Sequence, residues 1–226
     1  MINKKLKNIF QKGNLEGEFI IPFEPDGSIG KGYGFSGKIS KASINLTKEF
    51  SIKNLSTDIV HIKDGSIDGF DIEIKNGSIY DLKIAGSKIN LKREKNKVQV
   101  KSLLRTKGKL NFDEIKKVSK LMSLNFSNLK DVNAVMNIKT KINFDLENQM
   151  KLTNLFSSTE GDISHLEIRS EKIKVIKKYL PSFESNTIFK DIAVKNIFYK
   201  SNNTLELKGL VKVKDYFDTF QVKQNY

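Results

Sequence analysis

The segment from Met136 to Leu146, MNIKTKINFDL, alternates without a break. Met136, Ile138, Thr140, Ile142, Phe144 and Leu146 fall on one side of an extended chain, and Asn137, Lys139, Lys141, Asn143 and Asp145 on the other. A period of two marks a strand with one side covered, because a helix would scatter these residues around a cylinder. Eleven residues at ~3.3 Å each reach about 36 Å, roughly twice an ordinary strand. LELKGLVKV repeats the pattern, with Leu205, Leu207, Val211 and Val213 on one side. So do the rows Ile44/Leu46/Phe50/Ile52 and Phe70/Ile72/Ile74, and the pairs Ile89/Leu91 and Val98/Val100. About a dozen such strands, apolar on one face and polar on the other, predict antiparallel sheet with one side wet.

The strands are punctuated by an internal repeat. IKDGSIDGFDI from Ile62 returns as IKNGSIYDLKI from Ile74, and the turn DGSI occurs again at Asp26–Ile29. Asp64-Gly65 and Asn76-Gly77 are hairpin signals, since Gly, Asn and Asp accept the positive φ of tight hairpins. In each full copy the apolar parity slips by one residue, between Ile67 and Phe70 and between Ile79 and Leu82. Bulges near Gly69 and near Tyr80-Asp81 would absorb the slip and tighten the twist. Two segments carry helical spacing instead. NFDEIKKVSKLMSL has Phe112, Ile115, Val118, Leu121 and Met122 on one stripe behind Asn111 as N-cap. SEKIKVIKKYLPSF has Ile173, Ile176 and Leu180 and stops at Pro181.

The expected fold is therefore mostly β: a long twisted antiparallel sheet of repeated hairpins with two short amphipathic helices. One continuous β domain would comprise an N-terminal lead-in (1–16), a meander (17–110), a helix (111–125), long strands (126–169), a second helix (170–181) and C-terminal strands (182–226).

Charge bounds the partners. The net charge is +14 and the sequence pI about 9.6, which points to an anionic partner. Only three of the 40 basic residues are Arg, however, and Lys is the residue that keeps strand edges soluble. Solvated surface and a working anion patch both remain open. Base-stacking proteins interleave cations with exposed aromatics, whereas this chain has no Trp and its Phe residues mostly fall on the apolar side of strands. No nucleic acid partner is expected. There is no Cys, so disulfides and thiolate metal sites are excluded. His61 and His165 read as isolated histidines, without partners. No stretch reaches the ~18 apolar residues of a membrane span, and MINKKLKNIFQKGNL lacks the apolar centre of a signal peptide. The chain then reads either as cytosolic or as a piece of a longer protein, and the interrupted strand FDTFQVKQNY at its end favours the piece.

GYGFSGK (32–38) spells both G-x-G-x-x-G and most of G-x-x-x-x-G-K. Phosphate sites of these kinds need a strand before the glycines and a helix after them. Here turn chemistry precedes and an alternating segment follows, and Ile39 stands where Ser or Thr would hold magnesium. The glycines read as a loop or a bent strand start. In DGSIDGFD, Asp64, Asp68 and Asp71 lack calcium-loop spacing and read as a solvated turn. No catalytic constellation is visible, so no enzyme, cofactor, metal or small-molecule substrate is expected.

The texture of FSGKISKASINLTKEFSIKNLSTDIVHIKDGSIDGFDIEIKNGSIYDLKI, its G-x-I strand starts, the NLS between strands, VIKKYLPSF and the later LELKGLVKV resemble the AsmA/TamB-like superfamily of envelope proteins. The likeness covers most of the chain, and no single motif carries it. The chain is far shorter than members of that group and lacks their N-terminal membrane helix, as a fragment would. The resemblance implies a twisted β groove with an apolar concave face, held in the periplasm by an inner-membrane anchor outside this chain. It also implies a role in lipid transport and outer-membrane integrity.

Two short helices cannot cover a dozen strands, and an uncovered apolar face needs another layer or a ligand. Acyl chains would serve, at roughly 0.8 kcal/mol per buried CH₂. The expected lipid-facing residues are Phe70, Ile72, Ile74, Ile138, Ile142, Phe144, Leu146, Leu205, Leu207, Val211 and Val213, with phospholipid or acyl chains as partners. The other reading is a basic β-sandwich, with these residues as its core, that docks an anionic partner or acts as a scaffold.

Overall fold

The computed structural model describes residues 10–30, 32–45, 51–64, 67–94, 96–121, 131–147, 151–169, 186–199 and 202–225. The strands are β1 (Phe10–Ile20), β2 (Tyr33–Asn45), β3 (Ser51–Asp64), β4 (Ile67–Ile79), β5 (Leu82–Ile84), β6 (Ser87–Glu94) and β7 (Lys97–Leu110). After the helix α1 (Phe112–Leu121) come β8 (Asp131–Glu147), β9 (Leu152–Arg169), β10 (Asn186–Tyr199), β11 (Asn202–Val213) and β12 (Tyr216–Asn225). All twelve strands form one antiparallel sheet in chain order. The chain is thus mostly β, as its alternation requires, and MNIKTKINFDL lies within the 17-residue β8.

β5 and β6 occupy one position between them. Both pair with β4 and both pair with β7. They are a single strand interrupted at Ala85-Gly86, where Gly86 takes φ +64° and its N–H donates to the Ile74 carbonyl at 2.9 Å. The sheet therefore has eleven positions, with β1 and β12 at its edges. At ~4.8 Å per spacing it is about 48 Å wide.

Several turn expectations are corrected. Asn76-Gly77 is not a hairpin turn but lies within β4, Asn76 pairing with Ser56. Gly77 is there for space, since a Cβ would come within 3.3 Å of Ile52 and 3.4 Å of Leu55. The chain reverses later, at Tyr80-Asp81, with Tyr80 at φ +53°. The parity slip at residues 80–81 is thus a turn rather than a bulge. No register shift occurs at Gly69, and the β3–β4 irregularities fall at Lys53/Ser56 and Ser56/Thr57. The DGSI at Asp26 is a turn, in which the Asp26 carboxylate accepts from the Ser28 N–H at 2.9 Å and its hydroxyl at 2.6 Å.

Three of the bulges sit where non-glycine residues take positive φ: Lys41 (52°), Asn54 (51°) and Asp191 (50°). Each is followed by a buried apolar residue, namely Ala42, Leu55 and Ile192. One extra residue re-aims the next side chain inward and increases local twist. Ala42 and Leu55 join Ile74 and Ile84 in a buried cluster supported by Ile39, Ile44 and Ile89.

The expected helix over 111–125 is observed as α1. Its N-terminus is a capping box: the Asn111 side-chain oxygen accepts from the Glu114 N–H (3.0 Å), and the Glu114 carboxylate accepts from the Asn111 N–H (2.9 Å). The Lys117 ammonium lies 5.4 Å from the centre of the Tyr80 ring, tying the helix to the β4–β5 turn. The expected helix over 170–181 lies outside the described residues. β1 begins at Phe10, so residues 10–16 of the expected lead-in already belong to the sheet.

Candidate functional site

Register decides which side chains share a face. Phe35 (β2), His61 (β3), Phe70 (β4), Leu91 (β6), Val100 (β7) and Phe144 (β8) stand in one row across the sheet. The adjacent row runs Gly37, Ile59, Ile72, Ile89, Ser102, Ile142, Ser157 and Phe198. Further along, Thr106, Ile138, Gly161, Val194, Leu207 and Val222 continue the same face to β12. The sequence-derived residues Phe70, Ile72, Ile74, Ile138, Ile142, Phe144, Leu146, Leu205, Leu207, Val211 and Val213 all lie on this one face.

Their burial divides them. Ile74 and Val211 are only 5% exposed and belong to the packed part of the face. Phe70 is 38% exposed. Ile72, Ile138, Ile142, Phe144, Leu146, Leu205, Leu207 and Val213 are half-buried. A side chain between two packed layers would be as hidden as Ile74. The total accessible surface is 16164 Å², about one and a half times the ~10,400 Å² expected for a compact monomer of this mass.

The face is not uniformly apolar. A polar seam crosses β7 to β11. The Ser102 hydroxyl donates to the Ile142 carbonyl (3.1 Å), the Thr140 and Thr159 hydroxyls are 3.2 Å apart, and the Asn196 amide donates to the Asn203 side chain (2.8 Å). These groups bond within the sheet, so the seam is saturated rather than seeking a ligand. Period-two reading placed Thr140 on the face but gave no hint of the seam, which depends on five strands being in register.

Aromatic packing accounts for part of GYGFSGK. The segment runs into β2 with no helix after it. Gly17 and Gly37 pair across β1 and β2, and the Phe35 ring lies over both, within 2.6 Å of where either Cβ would stand. Phe19 packs on Phe35 at 5.0 Å between ring centres. These glycines make room for a ring.

His61 is not isolated, as its sequence context suggested. It is 8% exposed, its Nε2 lies 3.1 Å from the Asp68 carboxylate, and its ring stacks on Phe70 at 4.2 Å. The Arg93 guanidinium is 4.0 Å from the same carboxylate. His165 Nε2 is 3.9 Å from the Glu167 carboxylate. Asp68 pairs opposite Lys63 on the apolar face, whereas Asp71 is on the other face and accepts from the Asn90 amide at 2.5 Å. The two acids cannot converge on one ion.

The opposite face is polar and charged. Asp145, 7% exposed, accepts from Lys97 (3.0 Å) and from Asn154 (2.9 Å). The Asn154 amide, then the Lys97 ammonium, hold its carboxyl below the ordinary 3.8, against an opposing effect of burial. Lys75 bridges Asp58 (3.3 Å) and Glu73 (2.6 Å), and Lys139 pairs with Glu160 at 2.9 Å. Lys75 also lowers the Glu73 carboxyl, and Lys139 that of Glu160, chiefly by hydrogen bonding.

No family model, curated protein or solved structure matches the chain. Among the described residues no helix is long and apolar enough to cross a membrane.

Proposed function

We propose that this chain is a non-enzymatic segment of a bacterial AsmA-like envelope protein, binding or conducting lipid along the apolar face of its sheet. The observation that carries the reading is the half-burial of Ile72, Ile138, Ile142, Phe144 and Leu207 on one face that runs from β2 to β12. Apolar side chains left half in water along so many strands gain from an apolar cover. An acyl chain supplies it, at about 0.8 kcal/mol per methylene buried. The twist imposed by the bulges would curl that face into a groove open along its length. An anchor outside this chain would hold it at the inner membrane, with the groove in the periplasm and phospholipid moving toward the outer membrane.

Native mass spectrometry of the purified chain, with lipid extraction of the same sample, tests this. Phospholipid at reproducible stoichiometry, lost in Ile142→Asp while the strand circular dichroism is kept, supports the groove. A lipid-free protein whose Ile142→Asp variant unfolds means that the face is a closed core, and the proposal fails.

A further inference from the structure

The polar face holds a trough of about 650 Å³ across β3, β4, β6, β7 and β8. Its two sides differ. On the β3–β4 side the carboxylates are already engaged, Asp58 and Glu73 by Lys75 and Asp71 by the Asn90 amide. On the β6–β8 side stand Lys88, Lys101 and Lys141. Among the described residues none of these three has an ion-pair or hydrogen-bond partner. The nearest acids act on them only at longer range, Glu73 on Lys88 and Glu160 on Lys141.

Register brings the three together. Lys88 pairs with Leu103 and Leu103 with Lys141, so those two lysines flank Leu103 in one row. In the next row Lys101 lies between Asn90 and Asn143. Lys88 and Lys141 are two strand spacings apart, about 9.6 Å at their Cα atoms, with Lys101 between them. Flexible four-carbon stems let the three ammoniums close on one oxyanion, which Lys binds as a point charge. Three cations close together on one patch repel each other, and a bound anion relieves that repulsion. Leu103, between Lys88 and Lys141, gives an apolar surface beside the charges, while Val60 lies across the trough on β3, beyond Asn90 and Asp71.

We propose that this trough is a binding site for a phosphate-bearing ligand. Lys88, Lys101, Lys141 and the Asn143 amide hold the oxyanion, and the body of the ligand lies over Leu103. The site is on the face opposite the apolar rows, so it stands or falls apart from the lipid reading.

The test is amide-shift titration of the full chain with glycerol 3-phosphate at constant ionic strength, beside flotation with vesicles of phosphatidylglycerol in phosphatidylcholine. Two triple variants are compared: Lys88, Lys101 and Lys141 all to Gln, and Lys208, Lys212 and Lys223 all to Gln, which removes the same charge from β11 and β12. The expected result is saturable binding centred on β6–β8, weakened at least tenfold in the first variant and less than twofold in the second. Saturation by glycerol phosphate identifies a soluble ligand, and vesicle binding alone, lost in the first variant, identifies a lipid headgroup. Equal loss in both variants, or no saturable binding of either probe, overturns the site. The phosphate titration is read on the parent chain and the two lysine variants alone, so a closed core that unfolds in Ile142→Asp leaves this outcome readable.

Discussion

Among the described residues Gly161 is, with Gly108, one of two positions at which an added methyl group would meet a backbone carbonyl oxygen at 2.2 Å. It lies in β9 between Ile138 of β8 and Val194 of β10, in the middle of the apolar face. Its φ is +155°, and an added Cβ would stand 2.2 Å from the Asn137 carbonyl oxygen and 2.9 Å from the Ile138 Cα. Alanine in that backbone region carries strain of roughly 1–3 kcal/mol. Relieving the overlap requires β8 and β9 to part by about an ångström, which sacrifices one or two ladder hydrogen bonds at ~1 kcal/mol each. The sum is about 2–5 kcal/mol, a large share of the ~5–15 kcal/mol that holds a typical domain together. Gly34, one strand from the edge, is the control. It has no positive φ, and the nearest atom to an added Cβ is 3.6 Å away, so Gly34→Ala should be neutral or stabilise by up to ~1 kcal/mol. Thermal melts followed by circular dichroism should show Gly161→Ala about 4–20 °C below the parent, at ~2–4 °C per kcal/mol for this size. Hydrogen exchange should rise first in β8 and β9. A Gly161→Ala melt within 2 °C of the parent, or a larger loss at Gly34, would refute the steric reasoning.

Asn111→Ala removes the reciprocal cap of α1 and should destabilise the protein by about 1 kcal/mol, read as a lower urea midpoint, whereas Asn111→Asp should retain most of it. Asp145 is held below its ordinary 3.8 in the fold. Its stabilisation is therefore complete above that value and lost as pH falls through the lowered one. The stability gap between the parent and Asp145→Asn should be constant from pH 7 to about 5 and shrink toward pH 2. A gap that widens on acidification would contradict the assignment.

Alternation along the chain determined what could be determined locally. Period two in MNIKTKINFDL and LELKGLVKV dictates strands and which of their residues share a face, because side-chain direction in a strand is a local property. Asn111 marked the start of α1 for the same reason, since an N-cap bonds within its own first turn, and the reciprocal bond from Glu114 came with the structure. What only the tertiary structure decided involves other strands. Asn76-Gly77 carries a hairpin signal, yet Gly77 serves close packing against Ile52 and Leu55, and the turn falls at Tyr80. The bulges at Lys41, Asn54 and Asp191 use residues with no glycine to announce them. Pairings such as His61 with Asp68, or Leu103 between Lys88 and Lys141, are set by where each strand turns back onto its neighbour and by the unbroken ladders that follow. A one-residue slip moves every side chain of a strand to the other face. The sequence could therefore say that this protein has an apolar and a charged face, while only the folded sheet brings three lysines from three strands around one leucine.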